Sequence, residues 1–577
     1  MTDKLTIALA QINPKVGDLE GNRQLILEAR AEAAKGKADL IVFPELAMSG
    51  YPPEDLVLNQ AFLDATEATI TTLAEATNDG GPALLIGAPW RKNINAGTAY
   101  EGKTLSSLDQ DSAAPSKPSF NAVLLLDQGI IKTVRVKHDL PNYSVFDEKR
   151  VFKSGPLPGP INFRGVRLGV LICEDFWTPD CAVCLLESGA EILISPNGSP
   201  YEHDKTSTRM THAVARVTET GLPFVMINQV GGQDELVFDG ASFVLNADRS
   251  VATYLPSFRS HIGMTHWQRH SNGWLCDVTE RCAPPNGAAA IYQALVLGLR
   301  DYVIKNEFPG VILGLSGGID SALCAAISVD ALGSDRVWAI MMPSPYTSKD
   351  SLEDAEKVAQ RLNIRLDRIS IEPAMQAFDE MLKQSFKGRP MDITEENLQS
   401  RARGVTLMAL SNKFGHMLLS TGNKSEMSVG YATLYGDMCG GFAVLKDVYK
   451  MDVYACSEWR NGNMPEGGLG PSGWVIPPRV ISKAPTAELR PNQKDEDNLP
   501  PYPILDSILH SFIEEDSGIV SVVEKGFDEA IVQRVKHMLN RAEYKRRQAP
   551  PGVKITLRAF GRDRRYPITN GFREEGP

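Results

Sequence analysis

No apolar run in the sequence approaches the ~18 residues that cross a bilayer. The first stretch, MTDKLTIALAQ, enters a strand pattern with neither an apolar leader core nor a cleavage site. No membrane partner is therefore expected, and a cytoplasmic location is. Cysteine is sparse as well: eight in 577 residues cannot staple so long a chain. Cys181 and Cys184 form a C-x-x-C that Cys276 and Cys282 could complete as a metal site. The first pair, however, lies in a helical pattern and the second has irregular spacing, so buried structural thiols are expected. Also missing is any G-x-x-x-x-G-K-[ST] stretch. Without the lysine that grips the β and γ phosphates, transfer of a γ-phosphoryl group is disfavoured.

What is present begins with length. The chain exceeds one ordinary core, and with 43% hydrophobic and 23% charged residues it reads as a globular protein of two α/β domains. Net charge is −11, yet from Arg541 onward ten Lys or Arg face four Asp or Glu, leaving −17 for everything before. A basic tail on an acidic chain suits a phosphate-bearing ligand, although a solvated charged face or a subunit contact explains the same charges. No nucleic-acid partner is expected.

The stretch VILGLSGGIDSA, Val311 to Ala322, carries the first chemistry. Val311 to Leu315 reads as a buried parallel strand and a helical pattern begins at Asp320, so Ser316 to Ile319 make a tight strand-to-helix turn. Adjacent glycines let backbone N–H groups approach an anion. The helix N-terminus adds partial positive charge, and the Ser316 and Ser321 hydroxyls add donors. Asp320 is placed to hold Mg²⁺ against the same oxygens. The lysine-free S-G-G-x-D-S turn resembles the pyrophosphate loop of the ATP pyrophosphatases, which transfer AMP to a substrate oxygen.

The first half alternates strands and amphipathic helices, from Lys4–Ala10 through Ala241–Leu245, as a layered α/β domain does. Three strands end in reactive residues: Glu45 in FPELAMSGYPPEDL, Lys137 in VKHDLPNYSVFDEKRVF and Cys173 in GVLICEDFW. Strand carboxyl ends border the ligand crevice of an α/β sheet, so the three can converge. A carboxylate can deprotonate a thiol, the thiolate can attack an amide carbon, and an ammonium can stabilise the oxyanion. Singly each residue has a structural explanation. Together they resemble the Glu-Lys-Cys triad of the nitrilase (carbon–nitrogen hydrolase) superfamily, over roughly Lys4 to Leu255. That resemblance implies a four-layer αββα sandwich in which Glu148 orients Lys137, and Tyr143, Ser199 and Lys205 line a glutamine pocket.

From Pro256 to Asn286 the pattern weakens, and the domain boundary is expected there: residues 1–256, a linker 257–286, then 287–577. Alternation then resumes as a doubly wound pattern with the loop after its first strand. Four later strings, ENLQSRARG, TGNKSEMSVGYATLYGDMCGG, SKAPTAELRPNQKDEDNLPPY and EYKRRQAPPG, follow in order. With the loop they resemble the NAD⁺ synthetases, from about Gly287 to Pro577. The whole chain thus resembles the glutamine-dependent members of that family. The likeness implies a parallel-sheet ATP-pyrophosphatase (adenine nucleotide alpha hydrolase-like) domain. ATP is expected at Gly314, Leu315, Ser316, Gly317, Gly318, Ile319, Asp320, Ser321, Thr421 and Lys450, with Lys483 as a further phosphate contact. Deamido-NAD⁺ is expected at Asn397, Arg401, Glu426 and Lys545, and Mg²⁺ at Asp320 and Glu426. The polar Ser482–Tyr502 segment suits a loop covering the site. The sequence departs from the family pattern in a glycine-rich stretch, Ser457 to Val475, where a short connector is expected.

The implied reaction is amidation of deamido-NAD⁺ through an acyl-adenylate with glutamine-derived ammonia, releasing AMP, pyrophosphate and glutamate, in a homo-oligomer. The alternatives are another pyrophosphatase-loop amidotransferase, a nitrilase-type amidase with a nucleotide-binding regulatory domain, and a non-catalytic nucleotide sensor.

Overall fold

The computed structural model describes residues 3–91, 119–491, 493–572 and 574. It divides into two compact units, Met1–Gln233 with Val237–Pro285, and Asp234–Leu236 with Asn286–Pro577.

The first unit is built on two sheets. One has seven strands in the order Gly273–Cys276, His261–His270, Lys4–Gln11, Leu40–Val42, Ala83–Trp90, Phe120–Asp127 and Ile130–Val136. The other has six, Val251–Tyr254, Phe243–Leu245, Phe224–Asn228, Ile192–Asn197, Val166–Val170 and Ile161–Phe163. Side chains alternate across a strand, so each sheet has two apolar faces to bury. Ile7, Leu9, Val42, Leu85 and Val123 meet Val170, Ile192, Ile194, Val225 and Val244 between the sheets. On the outer face of the first sheet Ala8, Ile41, Leu84 and Ile86 pack on Ile26 and Ala29 of helix Leu19–Lys35 and on Ile70 and Leu73 of helix Gln60–Ala76. On the outer face of the second, Leu193, Met226 and Phe243 pack on Cys181, Leu185, Ala213 and Val217 of helices Asp180–Glu187 and Lys205–Thr220. Four layers result, αββα.

The stretch expected to be a linker contains two of these strands. His261–His270 pairs antiparallel with the first strand, Lys4 opposite Gln268 through Gln11 opposite His261. Its inward positions are Gly263, Thr265 and Trp267, two of them not apolar, which is why the alternation is faint in sequence. All eight cysteines are free; of the four expected to be buried structural thiols, Cys181 and Cys276 are buried, whereas Cys184 and Cys282 are partly exposed.

In the second unit the sheet is parallel, ordered Arg365–Arg368, Val337–Met341, Val311–Gly314, Met417–Ser420 and Phe442–Ala443. Strand order reverses beside Val311–Gly314, so the turn after it opens at the switch point where such sheets bind ligands. Helix Ile319–Leu332 is buried almost throughout, Asp320 apart. At ~1.5–3 kcal/mol for each buried Leu or Ile, packing rather than helix propensity holds it there. Past the sheet, Leu505, Leu509 and Phe512 of helix Tyr502–Ile513 pack on Val532, Val535 and Leu539 of helix Glu529–Arg541.

The glycine-rich Ser457–Val475 stretch is ordered by buried charge. Its first residues complete helix Lys450–Gly462. Arg460 then pairs with Asp330 through two bonds, Nε at 2.5 Å and an Nη at 3.0 Å, both side chains fully buried. Tyr292 donates to the same carboxylate at 2.6 Å, and the chain wraps the guanidinium so that the Pro471 and Gly473 carbonyls accept from it. Gly470 is required, because a Cβ there would lie 2.2 Å from Asp330 Oδ1. Removing one member of a buried pair strands the other without water. Asp330→Ala should therefore destabilise the second unit by ~3–5 kcal/mol, read as a fall in urea midpoint followed by tryptophan fluorescence, since Trp459 packs on Tyr292. A loss below ~1 kcal/mol would show that the pair does not order this stretch.

Candidate active sites

In the first unit the sites begin at strand ends. Leu40–Val42 runs into Phe43, Pro44 and Glu45; Ile130–Val136 delivers Lys137; Val166–Val170 leads to Cys173, which opens a short 3-10 turn with a left-handed φ of 47°. Gly87 lets these segments approach: a Cβ there would lie 2.2 Å from the Leu46 nitrogen. Lys137 Nζ lies 2.7 Å from Glu45 Oε1 and 2.9 Å from both oxygens of Glu148. Lys137, Glu45 and Cys173 are buried together. Burial works against the ammonium, but the Glu148 and Glu45 charges outweigh it and hold the Lys137 pKa well above the usual lysine range. Burial, reinforced by Glu45, pushes the Cys173 thiol well up, so it rests protonated and needs a base as it attacks.

Several residues not singled out from sequence complete this cluster. Asn121 Nδ2 donates to Glu45 at 2.7 Å and to Glu148 at 3.4 Å; Tyr51 donates to Glu148 at 2.8 Å; the Gly198 N–H donates to Glu45 Oε2 at 2.9 Å. Asp175 accepts from the N–H groups of His138, Asp139 and Ile172 at 2.8–3.0 Å, joining the strand end that carries Lys137 to the turn that carries Cys173. Its ligand atoms also lie within 4.8 Å of those of Asp139 and Cys181. The only sequence signal for Asp175 was its place two residues after Cys173.

The expected glutamine residues are less uniform. Tyr143 is half exposed and donates to Glu174 at 3.0 Å. Ser199 is buried, its N–H on Asn228 and its hydroxyl accepting from Arg209, which is itself paired with Asp239. Lys205 is tied to Glu202 at 3.1 Å and lies over the Trp177 ring.

In the second unit a cavity of about 310 Å³ opens beside the loop. Its walls include Gly314, Leu315, Ser316, Gly318, Ile319, Asp320, Ser321, Thr421, Glu426, Lys450 and Lys483. Gly317, expected among the contacts, instead turns at φ 83° against Ser351, whose carbonyl oxygen would be 2.2 Å from an added Cβ. Lys450 is in direct contact with Asp320 and lies 3.6 Å from Glu426, while Asn423 donates to Asp320 at 2.8 Å. Burial, with Asp320 nearby, pushes Glu426 up to about 8. Asp495, within the covering segment, adds a third carboxylate to the wall, its Oδ2 accepting from the Tyr502 hydroxyl at 2.9 Å.

Asn397, Arg401 and Lys545 do not line this cavity. They gather around the chain that follows Glu426: Lys545 donates to the Gly430 and Ala432 carbonyls at 2.7 and 2.6 Å, Thr433 donates to Asn397 at 2.9 Å, and Arg401 donates to the Leu434 carbonyl at 3.2 Å. Glu426 alone of the four expected deamido-NAD⁺ contacts is shared with the nucleotide cavity.

A thiol with a carboxylate base and a buried ammonium, on the same chain as a lysine-free phosphate turn, defines a ligase supplied by an amide-cleaving unit. Comparison with known proteins agrees. The carbon–nitrogen hydrolase family model matches residues 6–271 and the NAD synthase model residues 291–549. A glutamine-dependent NAD(+) synthetase of Rhodobacter capsulatus is 46% identical over all of both chains, and one of Acinetobacter baylyi 44% over 99% of each. A solved glutamine-dependent NAD⁺ synthetase from Acinetobacter baumannii, in complex with ADP, superposes with a TM-score of 0.75 at 41% identity, covering 99% of this chain and 100% of that one. The chain belongs to the glutamine-dependent NAD⁺ synthetases. No helix among the described residues is long and apolar enough to cross a membrane.

Burial pushes Glu148 up to about 7. Below that pH the protonated Glu148 carboxyl holds the Lys137 ammonium less firmly, leaving Glu45 as its one charged partner, so kcat/KM for the amide should fall as pH drops through an acid limb near 7 and plateau above it. Glu148→Gln should lower the plateau and move or erase this limb; a limb that persists unchanged in the variant would assign it to another group.

Proposed function

We propose that the two units divide one reaction, the ATP-dependent amidation of deamido-NAD⁺ to NAD⁺ with nitrogen taken from glutamine. The observation that carries the nucleotide half is the 310 Å³ cavity walled by the lysine-free loop, Lys450 and the carboxylates of Asp320 and Glu426. In the first unit the Cys173 sulfur attacks the side-chain amide carbon of glutamine while Glu45 takes the thiol proton. The Lys137 ammonium, oriented by Glu148, donates to the tetrahedral oxyanion. On collapse the C–N bond breaks, Glu45 returns the proton to the leaving ammonia, and water releases glutamate from the thioester. Tyr143, Ser199 and Lys205 would position the amino acid.

In the second unit the nicotinate carboxylate of deamido-NAD⁺ attacks the α-phosphorus of ATP, and the bond to the β-phosphate breaks. The loop N–H groups, the serine hydroxyls and Lys450 receive the departing pyrophosphate. A carboxylate is a poor acyl electrophile; AMP is the leaving group that lets ammonia attack the acyl carbon. Asp320 and Glu426 offer only oxygen ligands, and a cation bound between them would displace the proton that burial favours on Glu426, so the donor set fits Mg²⁺. When bound there, the ion would neutralise pyrophosphate charge. Asn397, Arg401 and Lys545 would hold the dinucleotide, directly or through the Gly430–Leu434 chain. We place the enzyme in the cytoplasm as a homo-oligomer. Residues 1–256 make most of the glutaminase domain, whose seven-stranded sheet takes two further strands from residues 257–286, and 287–577 make the synthetase domain.

With deamido-NAD⁺, Mg·ATP and glutamine, NAD⁺ and AMP should form in equal amounts. Cys173→Ala should abolish synthesis from glutamine yet leave synthesis from high ammonium chloride, whereas Asp320→Ala should abolish both. Undiminished NAD⁺ formation by Asp320→Ala would overturn the ATP site. Lys545→Ala should raise KM for deamido-NAD⁺ at least ~10-fold, as loss of a charged contact does, with little change for glutamine; equal effects on both would reduce the tail to a structural contact.

A further inference from the structure

Glu488 takes no part in the chemistry above, yet four donors hold its carboxylate. The Ser348 and Ser351 hydroxyls each lie 2.7 Å from Oε1, the Ser348 N–H 3.2 Å from Oε2, and Lys483 Nζ 3.4 Å from Oε1. To reach them Glu488 adopts a left-handed backbone, φ 49°, which a non-glycine residue keeps only when its surroundings over-determine it. Ser348 caps helix Lys349–Leu362, so the carboxylate sits at the positive end of a helix dipole. That same helix end backs the phosphate loop, because Ser351 presents its carbonyl to Gly317 where no Cβ would fit. Glu488 belongs to the segment whose residues Lys483 to Leu489 wall the cavity. Elsewhere the segment is tied by Gln399 donating to the Leu489 carbonyl at 2.9 Å, by Gln493 donating to Glu396 at 3.4 Å, by Arg534 donating to the Asn498 carbonyl, and by the exposed Arg490–Glu396 pair at 3.6 Å.

We propose that Glu488 is a positioning residue that fastens the covering segment to the phosphate loop and thereby keeps water from the acyl-adenylate. This rests on the reaction proposed above. The adenylate has two fates. If ammonia attacks the acyl carbon, the acyl–oxygen bond to AMP breaks and NAD⁺ forms. If water attacks, the same bond breaks, deamido-NAD⁺ is regenerated, and ATP has been converted to AMP and pyrophosphate with nothing made. Closing a site against water is what separates these outcomes for a reactive intermediate. Lys483, expected as a phosphate contact, is held here by Ser351 and Glu488, so the fastening also sets where that ammonium points.

The test measures AMP and NAD⁺ in one reaction containing deamido-NAD⁺, Mg·ATP and ammonium chloride, which leaves the glutaminase out. The unmutated protein should give a ratio near one. Glu488→Gln keeps the side-chain shape but loses the charge and turns an NH₂ toward the donors; its AMP should exceed NAD⁺ by about threefold or more, and the excess should vanish when deamido-NAD⁺ is omitted. Ser351→Ala, which removes one donor, should move the ratio the same way by less. A merely structural role would slow both products together and leave the ratio at one, and that result in Glu488→Gln overturns the proposal. Should Glu488→Gln fail to fold, judged by its melting curve, a ratio of one in Ser351→Ala overturns it equally. An unmutated protein that forms neither product would instead refute the reaction itself.

Discussion

A lysine ammonium buried between two carboxylates stands at the centre of each unit. Lys137 lies between Glu45 and Glu148, and Lys450 between Asp320 and Glu426. Burying such charges is costly unless every one is paired and hydrogen-bonded, so both trios dictate what surrounds them. Around Lys137 the excess negative charge is met by neutral donors, the Asn121 amide, the Tyr51 hydroxyl and the Gly198 N–H. That closed arrangement keeps the ammonium charged. Around Lys450 the carboxylates face a cavity and a third, Asp495, joins them.

The fold serves these demands by ending strands at the same place. In the αββα unit the reactive residues leave strands of both sheets, and their meeting depends on close backbone approaches that only glycine permits. A Cβ at Gly87 would strike the Leu46 nitrogen, and one at Gly198 would lie 2.7 Å from the Tyr51 ring. In the parallel-sheet unit the strand order reverses beside the loop, which leaves room for a ligand between neighbouring connections. Stability and reactivity are kept apart there. The Arg460–Asp330 pair is wrapped by backbone and meets no cavity residue in its hydrogen bonds, whereas the Asp320 and Glu426 carboxylates keep faces open to the cavity.

Much of this was legible in sequence where one residue does the work by local geometry. Hydrophobic runs of period two or 3.6 marked the elements, the S-G-G-x-D-S turn marked a loop that walls the cavity of the second unit, and strand-end Glu45, Lys137 and Cys173 marked residues that the fold buries together. Legibility failed where the relevant contact is with a residue far along the chain. His261–His270 was hidden because its buried face is Gly263, Thr265 and Trp267, a pattern that makes sense only against the first strand of the chain. Asn397, Arg401 and Lys545 were expected with Glu426 in one ligand set, yet the first three meet around Gly430–Leu434. The glycine-rich stretch looked like a disturbance, because nothing local announces that Arg460 finds its partner at Asp330.

By itself the sequence determined the two units, the order of most of their elements, and the chemical types brought to each site, since hydrophobic period and turn chemistry are short-range properties. Only the tertiary structure decided how those groups are charged and held. Whether Glu148 gives up its proton near 7 or in the usual carboxylate range depends on burial and on the distance to Lys137, and neither is a property of the string of residues between them. The same holds for Glu488, an ordinary carboxylate in a Pro-rich loop until Ser348, Ser351 and Lys483 converge on it. Electrostatic interaction falls with separation in space and with exposure to water, and both are set when the chain folds.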